Sequence, residues 1–161
     1  MDNKELIEKY PFLKAGSSNN WTDCWLDDLE PGWRKAFGKE LCEELAAAIK
    51  EDGCENTFGF DQIKEKFAEL RLYAHGYGEK TKEVLAKYEE LSKYICGHCG
   101  QAATKITRGW IYPLCDACIK DILGGYSPIE NFYNFDSYSD VQKEVEHIKK
   151  DYCYGEYWKR P

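Results

Sequence analysis

The sequence predicts an α+β fold with a small antiparallel sheet and several helices, and two apolar patterns carry this prediction. In one pattern, apolar residues recur every four positions, as on the buried face of an amphipathic helix. In the other, Leu70, Leu72 and Ala74 occupy alternate positions, as they do in a half-buried strand. The chain has 161 residues, which is enough to bury one core, and we expect residues 1–161 to form a single domain.

The longer helices follow from the spacing of the apolar residues. A short N-terminal helix is expected to end at Pro11, and the next helix covers residues 32–50. A third helix is expected over residues 81–95, and the last begins at Ser139, which opens a capping box. The apolar stripe of the second helix consists of Trp33, Phe37, Leu41, Leu45 and Ile49.

Residues 60–73 allow two interpretations. Their apolar members could lie on one face of a helix, but glycines bracket the segment and the alternation favours two short antiparallel strands. The chain would then turn within residues 66–69. The sequence leaves the choice between hairpin and helix open, and the hairpin is the interpretation that we favour.

Charge and composition restrict the classes of partner. The formal net charge is −7 and the pI is near 5.1, which argues against a broad surface for nucleic acid or membrane. The acidic N-terminus does not resemble a signal peptide, and no apolar run approaches the roughly 20 residues that span a bilayer. We therefore expect a cytoplasmic protein without a membrane partner, in which the cysteines are reduced.

Four of the eight cysteines form two pairs with the spacing C-x2-C-x15-C-x2-C, which is typical of a zinc site. Gly100 suits a tight knuckle after the first pair, the insert reads as a hairpin that turns at residues 107–109, and the second pair opens a short helix. A knuckle, a hairpin and a helix N-terminus describe a treble-clef zinc finger over residues 94–125, with one structural Zn²⁺. The predicted metal ligands are Cys96, Cys99, Cys115 and Cys118.

The first pair, read alone, is also the redox-active sequence of disulfide isomerases. Thioredoxin-type chemistry places its motif after a buried strand early in the domain, whereas this motif follows a helical pattern. We therefore favour zinc, with His98 exposed at the knuckle tip. The other cysteines show no paired spacing and are interpreted as buried thiols: Cys24, Cys42, Cys54 and Cys153.

The segments WTDCWLDDLEPGWRKAF and DQIKEKFAELRLY, followed by the paired cysteines, resemble small treble-clef zinc-finger proteins of bacteriophages and prophages. The resemblance covers residues 21–118. It implies a phage setting inside a bacterial host cell and carries over no activity. Ala68 stands where that pattern usually has glycine, and it weakens the interpretation of a tight turn there, because alanine tolerates positive φ poorly.

The segment KEKFAELRLY is the predicted binding surface. In a hairpin, Lys64 and Lys66 would share a face, and an arginine beside an aromatic ring suits a phosphate-bearing, stackable ligand such as a nucleotide. The alternative is a solvated strand whose charges pair across the sheet. Residues 126–161 are predicted to form an aromatic-rich extension with a helix. The candidate ligand-binding residues are Arg34, Lys64, Lys66, Arg71, Tyr73, Arg108, Tyr157 and Trp158.

Three function classes remain. We favour a non-catalytic, zinc-stabilised binding protein of phage type that acts in counter-defence, either by sequestering a host nucleotide signal or by blocking a host defence protein; self-association is also allowed. The second class is a nucleic-acid-associated zinc-finger adaptor, which the acidic balance opposes. The third is a carboxylate- or metal-dependent phosphodiesterase or nuclease. The finger hairpin lacks the histidines of HNH-type nucleases, so we assign no catalytic residues.

Overall fold

The computed structural model describes residues 2–16, 23–107, 112–122 and 132–134, and these residues form an α+β fold. The predicted fold class is therefore confirmed, while the helix predicted from Ser139 lies outside the described residues. Within the described part of the chain, no helix has the length and apolar character to cross a membrane. The elements are α1 (Asn3–Lys9), two 3-10 helices (Pro11–Leu13 and Trp25–Asp28), α2 (Pro31–Glu51), β1 (Gly59–Lys66), β2 (Glu69–His75), α3 (Glu79–Ser92), β3 (Lys105–Thr107), β4 (Pro113–Leu114), α4 (Asp116–Ile122) and β5 (Phe132–Asn134).

Helix α2 forms the centre of the core, as its apolar stripe predicts. Pro31 occupies its first position, where the missing N–H has no partner to lose. All five members of the predicted stripe are buried. The helix packs against α3, where the rings of Phe37 and Tyr88 lie 5.4 Å apart between centroids. The predicted helix over residues 32–50 is correct to within one residue at each end.

Strands β1 and β2 form the antiparallel hairpin that the sequence favours. Lys66 pairs with Glu69, which leaves Phe67 and Ala68 as a two-residue turn with φ values of 55° and 65°. Ala68 counts against a tight turn in the sequence, but the turn forms with Ala68 in the left-handed region. Its N–H donates to the carboxylate of Glu65 at 2.8 Å and the residue is buried, and these contacts compensate for the left-handed backbone.

Helix α3 covers the outer edge of β2 with polar side chains. The N–H of Leu70 donates to the hydroxyl of Ser92 at 2.8 Å, and the N–H of Leu72 donates to the carboxylate of Glu89 at 2.8 Å. Without these bonds, the two N–H groups would be unpaired donors at a sheet edge, where a strand of another chain could pair with them. The helix therefore closes this edge of the two-stranded sheet.

The start of α3 is capped from a distant part of the chain. Its N-cap residue is Gly78, which has no side chain to accept a hydrogen bond. Asp52, just after α2, instead accepts from the Thr81 N–H at 2.8 Å, the Thr81 hydroxyl at 2.8 Å and the Lys80 N–H at 3.2 Å. The carboxylate satisfies donors that helix geometry leaves without partners, and it ties the end of α2 to the start of α3.

Candidate metal centre

The four predicted zinc ligands lie together in the structure. Their sulfur atoms all lie within 4.8 Å of one another, and the Sγ atoms of Cys99 and Cys115 are 3.6 Å apart. A tetrahedral zinc with Zn–S bonds of about 2.3 Å requires sulfur atoms about 3.8 Å apart. The described cysteines are reduced and form no disulfide with one another. The cluster therefore has the composition and the spacing to hold one zinc ion.

A tight knuckle carries the first cysteine pair. The N–H of Cys96 donates to the carbonyl of Gln101 at 2.7 Å, and the N–H of Gly100 donates to the carbonyl of Cys96 at 2.9 Å. Gly100 has a φ of 82°, a conformation that glycine adopts without steric cost. The knuckle also presents His98 to solvent, as the sequence predicts.

Strands and a helix start present the second cysteine pair. Strand β3 lies between β4 and β5 in an antiparallel sheet, and α4 begins at Asp116, directly after Cys115. The carboxylate of Asp116 accepts from the Thr104 hydroxyl at 2.9 Å and pairs with the Lys105 ammonium. The knuckle, the strands and the helix start are thus arranged as the treble-clef interpretation predicts, although part of the turn at residues 107–109 lies outside the described residues.

The surroundings of the cluster shift the pKa values of its thiols in opposite directions. Burial acts to raise the pKa of Cys96, but backbone N–H groups of Cys99, Cys115 and His98 outweigh it, so this pKa lies below the ordinary 9.0. The pKa of Cys118 is instead raised, first by burial and then by its hydrogen bonds to neighbouring sulfurs. Thiolates this close repel one another, so all four ionise together only around a positive charge.

The knuckle docks directly on the first turn of α2, a contact that the sequence analysis missed. The N–H of Gly32 donates to the carbonyl of Gly97 at 2.6 Å, and the buried indole N–H of Trp33 donates to the carbonyl of Ile95 at 3.0 Å. A Cβ on Gly32 would lie 2.2 Å from the carbonyl oxygen of Cys96. Glycine is therefore required where the two backbones meet. The Pro-Gly-Trp sequence at the start of the helix is the feature of the sequence that could have indicated this contact.

A second contact joins the finger to Glu30, the residue before α2. The hydroxyl of Tyr112 donates to the carboxylate of Glu30 at 2.5 Å, and its ring lies over Gly97, where a Cβ would approach the phenolic oxygen to 2.3 Å. Burial, and then the bond to Glu30, raise the pKa of Tyr112 above its ordinary value of 10.0. The phenol therefore stays protonated and remains a donor at neutral pH.

The hairpin brings four of the predicted ligand-binding residues onto one face. Lys64 lies opposite Arg71, and Lys66 lies on the same side, two residues further along β1. The ammonium of Lys64 lies 5.2 Å from the ring centroid of Tyr73. Arg71 also pairs with Glu69 on the same strand, at 2.6 Å. We call this surface, made of Lys64, Lys66, Glu69, Arg71 and Tyr73, the hairpin face.

Arg34, the fifth predicted binding residue in the described part of the chain, lies on α2 and not on the hairpin. The guanidinium of Arg34 pairs with Asp27 and donates to the side chain of Asn3 at 3.0 Å, so it joins α1 to α2. The described contacts of this guanidinium are therefore to side chains near the start of the chain. Three other candidates, Arg108, Tyr157 and Trp158, lie outside the described residues.

The cysteines without paired spacing behave as predicted where they are described. Cys24, Cys42 and Cys54 are all buried. Burial raises the pKa of the Cys42 thiol to about 12, so it stays protonated at neutral pH and is a poor nucleophile. Cys153 lies outside the described residues.

The fold and the cysteine cluster define this chain as an α+β protein with a candidate four-thiolate zinc site. Comparison of the chain with family models, with curated proteins and with solved structures finds no match.

Proposed function

We propose that this chain is a non-catalytic, zinc-stabilised binding protein. The cysteine cluster supports the zinc part of the proposal, because four thiolates complete the tetrahedral coordination that structural zinc prefers. When bound, zinc would supply a crosslink between the knuckle and the start of α4. Such a site has no open position for a reacting water, so its contribution is to folding.

The hairpin face is the proposed binding surface, and the gathering of its side chains is the observation that carries this function. Lys64, Lys66 and Arg71 outnumber the carboxylate of Glu69 there, whereas the whole chain carries a net charge of −7. A local excess of cations on an acidic protein selects an anionic ligand. Tyr73 beside Lys64 adds a ring for stacking, so the surface suits a nucleotide.

The biological setting extends the proposal. The resemblance to phage and prophage proteins suggests that the chain acts in a bacterial host cell. A binding protein without turnover would there sequester a host nucleotide signal, and counter-defence is the role that such sequestration serves. The ligand should therefore be recovered chemically intact after the protein is denatured.

A thermal-shift screen of linear and cyclic nucleotides tests the nucleotide function. We expect at least one of them to raise the melting temperature of the zinc-loaded chain, and Arg71→Gln to reduce the increase. Lys50→Gln, an equal charge change at an exposed position near the end of α2, should keep it. If no nucleotide raises the melting temperature of the unmodified chain, this function is wrong. Recovery of hydrolysed products would instead make the protein an enzyme.

A protein target is the second candidate function, and Phe67 favours it. The side chain is 67% exposed at the tip of the hairpin, where its positive φ is costly for a bulky residue. Exposed aromatic residues commonly anchor protein interfaces. Asparagine suits this turn position, so Phe67→Asn should preserve the fold and release a protein partner. A partner that both proteins retain equally would contradict a role for Phe67.

A further inference from the structure

The carboxylate of Glu69 lies between two cations at the edge of the hairpin face. One oxygen is 2.6 Å from Nη2 of Arg71, and the other is 3.5 Å from Nζ of Lys93 on the turn that follows α3. The register also places Lys66 opposite Glu69 and Lys64 opposite Arg71. The side chains of Arg71 and Lys93 are 35% and 31% exposed, so a ligand from solvent can reach both.

A carboxylate and a phosphate group make the same contacts with such cations. Both present paired anionic oxygens to the fork of a guanidinium, and both attract an ammonium. We propose that Arg71 and Lys93 form an anion subsite in which Glu69 is a built-in competitor that a phosphate group of the ligand displaces. The inference rests on the proposed nucleotide function and adds Lys93 to the binding residues.

The other carboxylates around the subsite hold the cations in place. Glu90 is buried and lies 2.6 Å from Nζ of Lys93, while Glu89 is fixed by the hydrogen bond that it accepts from Leu72. Burial acts to lower the pKa of Lys93, but Glu90 and Glu69 outweigh it and the pKa lies above the ordinary 10.5. Lys93 is therefore charged at neutral pH. Glu69 is the member that neighbours the turn, so it can swing aside without moving α3.

Titration calorimetry of the full, zinc-loaded chain with inorganic pyrophosphate and with ATP tests the subsite. Glu69→Gln removes the carboxylate that pairs with both Arg71 and Lys93, and it should bind these probes about three- to fivefold more tightly, the order expected for partly exposed ion pairs. Glu83→Gln is the matched control, because it makes the same charge change on α3, where Glu83 lies 3.8 Å from Lys80. It should leave the affinity within twofold of the unmodified chain.

The outcomes separate this inference from the function on which it rests. The gain should vanish in the double variant Glu69→Gln with Arg71→Gln, because the subsite then lacks its guanidinium. Binding by Glu69→Gln alone would also support the subsite, with Glu69 as a complete block. If the unmodified chain binds and Glu69→Gln binds no more tightly, the subsite is wrong and the nucleotide function survives. If neither protein binds either probe and no nucleotide shifts the melting temperature, both are wrong.

Discussion

Replacing Gly32 with alanine should force the zinc finger away from helix α2. A Cβ at this position would lie 2.2 Å from the Cys96 carbonyl oxygen and 2.6 Å from the Gly97 carbonyl carbon, whereas ordinary contacts of a Cβ begin at 3.4 Å. The atoms that it meets belong to the backbone, so no side-chain rotation relieves the clash. The two backbones would have to separate by about 1 Å, in a core packed as densely as a crystal.

The separation has a free-energy cost with two sources, the steric clash and one weakened hydrogen bond. Overpacking of this kind costs about 1–3 kcal/mol, and the hydrogen bond from Gly32 to Gly97 contributes about 1 kcal/mol more. The higher helix propensity of alanine offsets at most about 1 kcal/mol of this cost, and less in the first turn. We therefore expect Gly32→Ala to lower the free energy of unfolding by about 2 kcal/mol.

Gly38 provides a matched control within the same helix. A Cβ there would meet only the flexible Arg34 side chain, with its Cγ at 3.5 Å, so Gly38→Ala should stabilise the chain by roughly 0.5–1 kcal/mol. Urea unfolding of the zinc-loaded proteins, followed by tryptophan fluorescence, measures both changes. Zinc release to a chelator should also be faster in Gly32→Ala. Equal stabilities for the two variants, or unchanged zinc release from Gly32→Ala, would refute the docking argument.

Three further predictions concern the metal, the cap of α3 and the docking of the finger. Cys115→Ser should lower the zinc content below one ion per chain in elemental analysis and lower the melting temperature. Asp52→Ala should cost about 1 kcal/mol at pH 7, and less as the pH falls below 3.8. Desolvation acts to raise the Asp52 pKa, but donors from Thr81 outweigh it, so the stabilisation is present above that pH and is lost on acidification. Limited proteolysis should release no independent N-terminal half, because the finger docks on α2 at Gly32.

Features set by neighbouring residues were predictable from the sequence. The spacing of the cysteines identifies the cluster because each pair sits on one local turn, the knuckle or the start of α4. The stripe from Trp33 to Ile49 locates α2 because helix geometry alone places those residues on one side. The hairpin was also predictable, although the cost of positive φ at Ala68 argues against its turn. Residue propensities do not take into account the hydrogen bond that the Ala68 N–H donates to Glu65.

Contacts between distant segments could not be predicted. The cap that Asp52 supplies to α3 joins two helices through side-chain geometry, and no short motif records it. Charge alone makes Arg34 a candidate binding residue, and the sequence does not reveal that its guanidinium pairs with Asp27. The subsite at Glu69 likewise depends on Lys93, which reaches β2 only because α3 packs along that strand.

The docking of the knuckle explains why a chain with a substantial core would use a metal at all. The contact between the knuckle and α2 is made by backbone atoms, with the N–H of Gly32 donating at 2.6 Å to the carbonyl of Gly97. Backbone atoms can meet this closely only if both segments keep a fixed shape. Helix α2 keeps its shape through its own hydrogen bonds, whereas the knuckle is too short to do so. Zinc held by the four thiolates would fix the knuckle, so part of its binding free energy would hold the start of α2 in place.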